Sequence, residues 1–237
     1  MSDCVSSSFA VSTDTYTVDE YAALGGPSKR PVVVILHGVD GMVGESGKEV
    51  RKLAAEIAEA GYLVFVPHYL GAGPESSIMP PREVMAQRVG QASTFRARVA
   101  AAVNHALAHP GADVTRVGMV GLSLGGGLAL WYAESAPGRL KALVDYFGHI
   151  SESAIYTDAG SLPPTLVFHN YDDQIVPRAM SEELIAALVA KSVVHDSEIY
   201  REPAYPERWE HTFRPGGRAD VDSRTRTRNW LDSHVKA

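Results

Sequence analysis

Apolar positions fall in two rhythms along this chain: short continuous runs and helically spaced stripes. Residues 31–37, Pro-Val-Val-Val-Ile-Leu-His, form a nearly unbroken apolar run. Such a run predicts a strand buried on both faces, as in a parallel sheet. Val50, Leu53, Ala54, Ile57 and Ala58 then recur at helical spacing and define one face. Ser46 and Glu49 precede that face with the spacing of a capping box, and Gly61 supplies the stop. A strand is expected at 62–67, then a loop rich in Gly, Pro and Ser over 71–81. Ala92, Phe95, Val99, Val103 and Leu107 mark a longer helix, with Pro110 just past its end. The pattern continues with a strand at 116–121, a helix at 124–135, strands at 140–147 and 165–169, a helix carrying Met180, Leu184, Ile185 and Leu188, a strand at 196–200 and a polar helix near 219–235. Alternating strands and helices predict an α/β protein with a mostly parallel central sheet covered on both faces. In such sheets ligands bind beyond the carboxyl ends of the strands. With no repeat, low-complexity tract or long linker, residues 1–237 read as a single domain.

Composition narrows the partners. A net charge of −6 argues against nucleic acid, which calls for a basic face. The longest aliphatic run, Val32 to Leu36, is far too short for a membrane span. The opening residues lack the basic start and apolar stretch of a signal peptide. Cys4 is the only cysteine, so neither an intrachain disulfide nor a cysteine metal cluster is expected. The expectation from composition is a cytoplasmic, single-domain protein, and composition says nothing of its chemistry; the motifs below add a small-molecule substrate, no need of a metal or other cofactor, and a monomer or homodimer as the expected state.

The chemistry is concentrated in a few loops. Gly121-Leu122-Ser123-Leu124-Gly125 has the form G-x-S-x-G between a short apolar strand and a helix rich in small residues, the setting of a nucleophile elbow. A serine on so sharp a turn has its own strand and helix crowding past it, and glycines two residues either side remove the Cβ atoms that would clash. A serine hydroxyl is a poor nucleophile until a base takes its proton, so an acid and a histidine should follow in that order. Asp172 and Asp173 stand just after the 165–169 strand, and His211 lies in a loop beyond the 196–200 strand. Only one of the two aspartates can orient the imidazole, and the residues themselves leave the choice open. The loop His37-Gly38-Val39-Asp40-Gly41 suits an oxyanion site in which the Val39 N–H joins that of Leu124, with His37 holding the loop rather than acting as base.

Together, Leu36-His37-Gly38, Pro67, Gly-Leu-Ser-Leu-Gly-Gly at 121–126, Tyr146-Phe147-Gly148, Asp173-x-x-Val176-Pro177 and His211-Thr212-Phe213 resemble the dienelactone hydrolase family of the α/β-hydrolase superfamily. The resemblance runs from Pro31 to the final helix. It implies the α/β-hydrolase fold, and it selects Asp173 over Asp172, because the family's acid lies three residues before Val-Pro. The family's dienelactone-cleaving members use a cysteine nucleophile and a glutamate in the oxyanion loop, where this chain has Ser123 and Gly38. Both differences point to the serine-nucleophile branch and to esters or lactones cleaved through an acyl-enzyme. An acyltransferase or thioesterase with the same triad is the alternative among enzymes, and a non-catalytic small-ligand receptor the alternative outside them. Gly38, His149, Trp209, Phe213 and Arg214 are the candidate substrate-binding residues, with 71–81 and 205–209 as walls. About 15 residues separate Phe147 from Leu162, too few for a large cap domain.

Three other patterns point elsewhere and are weaker. Gly41 to Glu49 resembles a phosphate loop but is one residue too long and lacks the Ser/Thr that a magnesium ion needs. His105 and His109 have the spacing of two zinc ligands, but no third is evident nearby in sequence. The C-terminal arginines are interleaved with aspartates, as on a solvated helix face.

Overall fold

The computed structural model describes residues 2–71, 87, 90–148, 159–201 and 211–237. Eight strands form one sheet: β1 (Ser2–Val11), β2 (Asp14–Ala23), β3 (Arg30–Leu36), β4 (Leu63–Pro67), β5 (Ala112–Leu122), β6 (Ala142–Tyr146), β7 (Thr165–Asn170) and β8 (His195–Tyr200). Their order is β1-β2-β4-β3-β5-β6-β7-β8. β1 and β2 pair antiparallel, as do β2 and β4; every other pairing is parallel. The helices are α1 (Gly44–Glu59), α2 (Ala92–Ala108), α3 (Leu124–Ser135), α4 (Ala179–Ala190) and α5 (Arg218–His234).

The continuous apolar run at 31–37 has the cause inferred for it. β3 lies mid-sheet between β4 and β5, and Val32 to Leu36 are wholly buried. Alternate side chains enter opposite layers, as the pleat requires. Val32, Val34 and Leu36 meet Phe95 and Val99 of α2 and Leu128 of α3 in one core, and Val33 and Ile35 meet Leu53 and Ile57 of α1 and Leu231 of α5 in the other. Each fully buried aliphatic side chain here contributes about 1.5–3 kcal/mol.

Three differences from the sequence pattern have physical causes. The Ser46–Glu49 capping box does not form: α1 begins earlier, at Gly44, after Val43, whose side chain offers no cap, and Ser46 donates its hydroxyl to Asp40 Oδ2 at 3.0 Å instead. β5 begins at Ala112 rather than at 116, because Arg30 and Pro31 pair with Ala112 and Asp113 before the register shifts. The hairpin of β1 and β2 is an addition. Most of β1 is exposed, and Phe9 is its one deeply buried large side chain, so it carries no apolar rhythm to read.

The connection from β6 to β7 spans only 147–164, too short to fold as a cap domain.

Candidate active site

β5 ends at Leu122 and α3 starts at Leu124, so the chain reverses at Ser123 alone. Ser123 has φ 54° and ψ −118°, a conformation that costs about 1–3 kcal/mol for a residue with a Cβ. Its N–H donates to Tyr146 O at 2.9 Å and its carbonyl accepts from Gly126 N, which pins the turn from both sides. The flanking glycines are sterically required. A Cβ on Gly121 would lie 2.4 Å from Gly125 O, and one on Gly125 would lie 2.2 Å from Leu36 O.

His211 bridges the serine and an aspartate. Its Nε2 lies 2.9 Å from Ser123 Oγ and its Nδ1 lies 2.7 Å from Asp173 Oδ2. A carboxylate only accepts, so Nδ1 carries the proton and the bare Nε2 receives the serine hydroxyl. Asp173 is the buried member of the aspartate pair. Its Oδ1 accepts the N–H groups of Ile175 and Val176, both at 2.8 Å, whereas Asp172 is exposed. Phe147 meets the His211 ring edge-on at 4.8 Å, and Phe213 stands against Phe147 at 5.4 Å. The imidazole is thereby held in place by aromatic packing as well as by its hydrogen bonds.

The loop after β3 lies across from the serine. A Cβ on Gly38 would stand 3.4 Å from Ser123 Cβ, so the backbone passes close by. His37 is buried, stacks on Tyr69 at 4.3 Å, and directs Nδ1 to Gly38 O at 2.8 Å, while Tyr69 donates to His37 O at 2.5 Å. It therefore braces the loop. Leu124 is the first helical residue, where an amide has no intrahelical acceptor.

A cavity of about 130 Å³ opens beside Ser123. Leu122, Phe147, Ile175 and Phe213 form an apolar wall, and Val39 and Gly38 line it from the loop. α1 contributes Val50, Leu53 and Glu49, and α5 contributes Asp220 and Arg224. Arg224 ties the two helices together, donating to Asp220 Oδ1 at 2.6 Å and to Glu49. These helix-borne walls were absent from the sequence reading. Arg214 is exposed and does not line the cavity among the described residues. His149, Trp209, the 205–209 segment and residues 72–81 of the expected wall lie outside the described residues.

Three buried ionisable groups adjoin the site. Asp145 lies wedged between Gly126 and Gly148, where a Cβ on either glycine would come within 2.2 Å of Oδ1. Burial, opposed by the Gly148 backbone, pushes its carboxyl up to about 7. Burial likewise raises the Tyr146 phenol to about 12. His169, near the end of β7, was not singled out from sequence; its Nε2 lies 3.4 Å from Asp173 Oδ2. Its one legible signal was its place four residues before Asp173.

His105 and His109 do meet a third side chain, the buried Glu20, at 3.4 and 3.7 Å. However, Gly111 N–H donates to His109 Nδ1, so the His109 Nε2 facing Glu20 carries a proton and cannot ligate. No group of three or more His, Cys, Asp or Glu among the described residues is arranged to hold a metal ion. No described helix is long and apolar enough to cross a membrane.

The profile of the dienelactone hydrolase family matches residues 18–233. Among curated proteins, a non-heme haloperoxidase of Rhodococcus erythropolis is 28% identical over 182 residues, covering 74% of this chain and 62% of that protein. The match thus spans less than two thirds of that relative. Among solved structures, a dienelactone hydrolase-like promiscuous phosphotriesterase from metagenomic libraries superposes with a TM-score of 0.79 at 20% identity, covering 98% of both chains. The dienelactone hydrolase of Anabaena variabilis gives 0.69 at 17% identity, covering 99% of both. An acylaminoacyl peptidase of Pyrococcus horikoshii gives 0.75 at 17% identity, covering 99% of this chain and 42% of that one. These likenesses establish the α/β-hydrolase fold.

Proposed function

The chain belongs to the dienelactone hydrolase family of hydrolases, and on that footing we propose that it cleaves small esters or lactones with Ser123 as nucleophile. The observation that carries this reading is the continuous hydrogen-bonded chain from Ser123 through His211 to Asp173, set on a strained turn beside an apolar cavity. Ser123 Oγ attacks the acyl carbon as its proton passes to His211 Nε2. Asp173 keeps the imidazole in the required tautomer and stabilises the imidazolium. The N–H groups of Val39 and Leu124 receive the oxyanion. His211 returns its proton to the leaving alkoxide; it then takes a proton from water as that water attacks the acyl carbon, and gives it to Ser123 Oγ as the acyl–Oγ bond breaks and the acid leaves.

The cavity volume favours short acyl chains, because pockets for drug-sized ligands run to about 300–1,000 Å³. The serine favours ordinary esters and lactones over the dienelactone of the cysteine-using members. A panel of p-nitrophenyl esters, lactones and thioesters of graded chain length tests this. Hydrolysis of short esters or lactones, abolished in Ser123→Ala, is the expected result. Faster turnover of thioesters, or transfer to an added alcohol in preference to water, would redirect the assignment to a thioesterase or acyltransferase with the same triad.

A further inference from the structure

His169 is wholly buried near the end of β7. Its Nε2 lies 3.1 Å from the carbonyl oxygen of Val176. A carbonyl only accepts, so Nε2 bears the ring proton. Its Nδ1 lies 2.7 Å from Ser181 Oγ on α4, itself wholly buried, and the hydroxyl donates to that bare nitrogen. A hydroxyl can also accept, but burial holds the ring below the usual histidine range and so selects the neutral imidazole with Nδ1 accepting. The same Nε2–H stands 3.4 Å from Asp173 Oδ2, the oxygen that takes the Nδ1–H of His211 at 2.7 Å. Asp173 Oδ1 is occupied by the N–H groups of Ile175 and Val176. The carboxylate is thus flanked by two imidazoles, and the turn from 173 to 176 is tied at Val176 O by His169.

We propose that His169 is a positioning residue for Asp173, fixing the place of the carboxylate and moderating how strongly it holds the proton of His211. The inference rests on the catalytic reading above. A buried N–H beside a carboxylate draws off part of its charge. Without it, more of that charge faces His211, which then keeps its proton to higher pH. Losing the tie to Val176 O also loosens the turn, and small displacements of a catalytic group are costly. The charged and titratable groups around His169 are Asp173, His211 and Arg178.

The test compares His169→Leu, His169→Gln and Ser181→Ala on a short p-nitrophenyl ester, with kcat and KM measured across pH and folding checked by thermal melting. His169→Leu should lose on the order of tenfold in kcat with little change in KM. Its acid limb of kcat/KM should move about half a pH unit upward. His169→Gln, which keeps an N–H within reach of Val176 O, should recover most of both effects. Ser181→Ala, which removes the Nδ1 partner and so loosens the seat of the ring while Val176 O still holds Nε2–H, should move the limb the same way by less, and it carries the test if His169→Leu does not fold. An unmoved limb in Ser181→Ala and His169→Leu overturns the proposal. So does a downward shift, which would mean that Asp173 has swung away from His211, and so does a Gln variant as impaired as Leu. If Ser123→Ala abolishes turnover while these variants match the parent, this inference fails and the hydrolase reading stands; if Ser123→Ala retains turnover, the reading itself fails.

Discussion

Asp172 and Asp173 are adjacent in the turn after β7, yet their side chains meet opposite environments. Asp173 points inward, accepts two backbone N–H groups and meets His211, while Asp172 faces solvent. Asp173→Asn should therefore lower kcat roughly a thousandfold or more, since the amide cannot hold the imidazole in the right tautomer. Asp172→Asn should stay within about twofold, as surface changes usually do. Steady-state kinetics on one soluble ester settles the ranking, and a comparable loss in both variants would reject the assignment of the acid. Asp145 supports a prediction about stability. Its carboxyl is raised by burial to about 7, so the folded state holds a proton that the unfolded chain releases near pH 4. Its contribution is intact below the unfolded value and is lost as pH rises to about 7, on the order of 4 kcal/mol in all. Asp145→Asn should consequently gain stability at pH 8 and little at pH 4, read by denaturant melts at the two pH values. An equal change at both would mean that the carboxyl does not titrate in this range.

The element that matters most is the elbow, and it was largely legible. Two glycines bracketing a serine between a strand and a helix have a steric cause. The helix at 124–135 was read at both ends, because Ser123 cannot be helical and Leu124 opens the apolar stretch. Gly125→Ala would drive a methyl to 2.2 Å from Leu36 O and 2.5 Å from His37 O. These are backbone atoms of a central strand and its loop, so they cannot move aside. A loss of more than about 3 kcal/mol in stability, together with loss of ester turnover, is expected; Gly90→Ala, with open space around it and no left-handed φ, serves as the control for substitution as such. A Gly125→Ala enzyme with parental melting and activity would contradict the steric account. The start of α1 was not legible, because Ser46 serves Asp40 rather than the helix.

Across the whole molecule, the central strands and their helices could be read because burial on both faces leaves uninterrupted apolar runs. The β1–β2 hairpin could not: β1 is a mostly exposed edge strand of mixed residues, and β2 buries Asp19 and Glu20 between Val18 and Tyr21, which breaks its apolar pattern. Within the site, Ser123 and His211 stand out by order and motif, because acyl chemistry calls for those residue types, whereas the choice of Asp173 over Asp172 comes only from the family resemblance; the structure brings the three side chains together. His169, and the walls given by Leu53 of α1 and Arg224 of α5, emerge only when elements remote in sequence converge. The link from Arg224 to Glu49 joins positions 175 residues apart, and no local pattern encodes it. What the architecture accomplishes is to bring Ser123 Oγ to the bare nitrogen of His211, and that claim can be tested at the atom concerned. The enzyme should react one-to-one with a small fluorophosphonate, with loss of ester hydrolysis and the adduct mapping by mass spectrometry to the peptide containing Ser123, while Ser123→Ala is neither labelled nor active. Turnover retained in Ser123→Ala, or an adduct confined to another residue, would contradict the account.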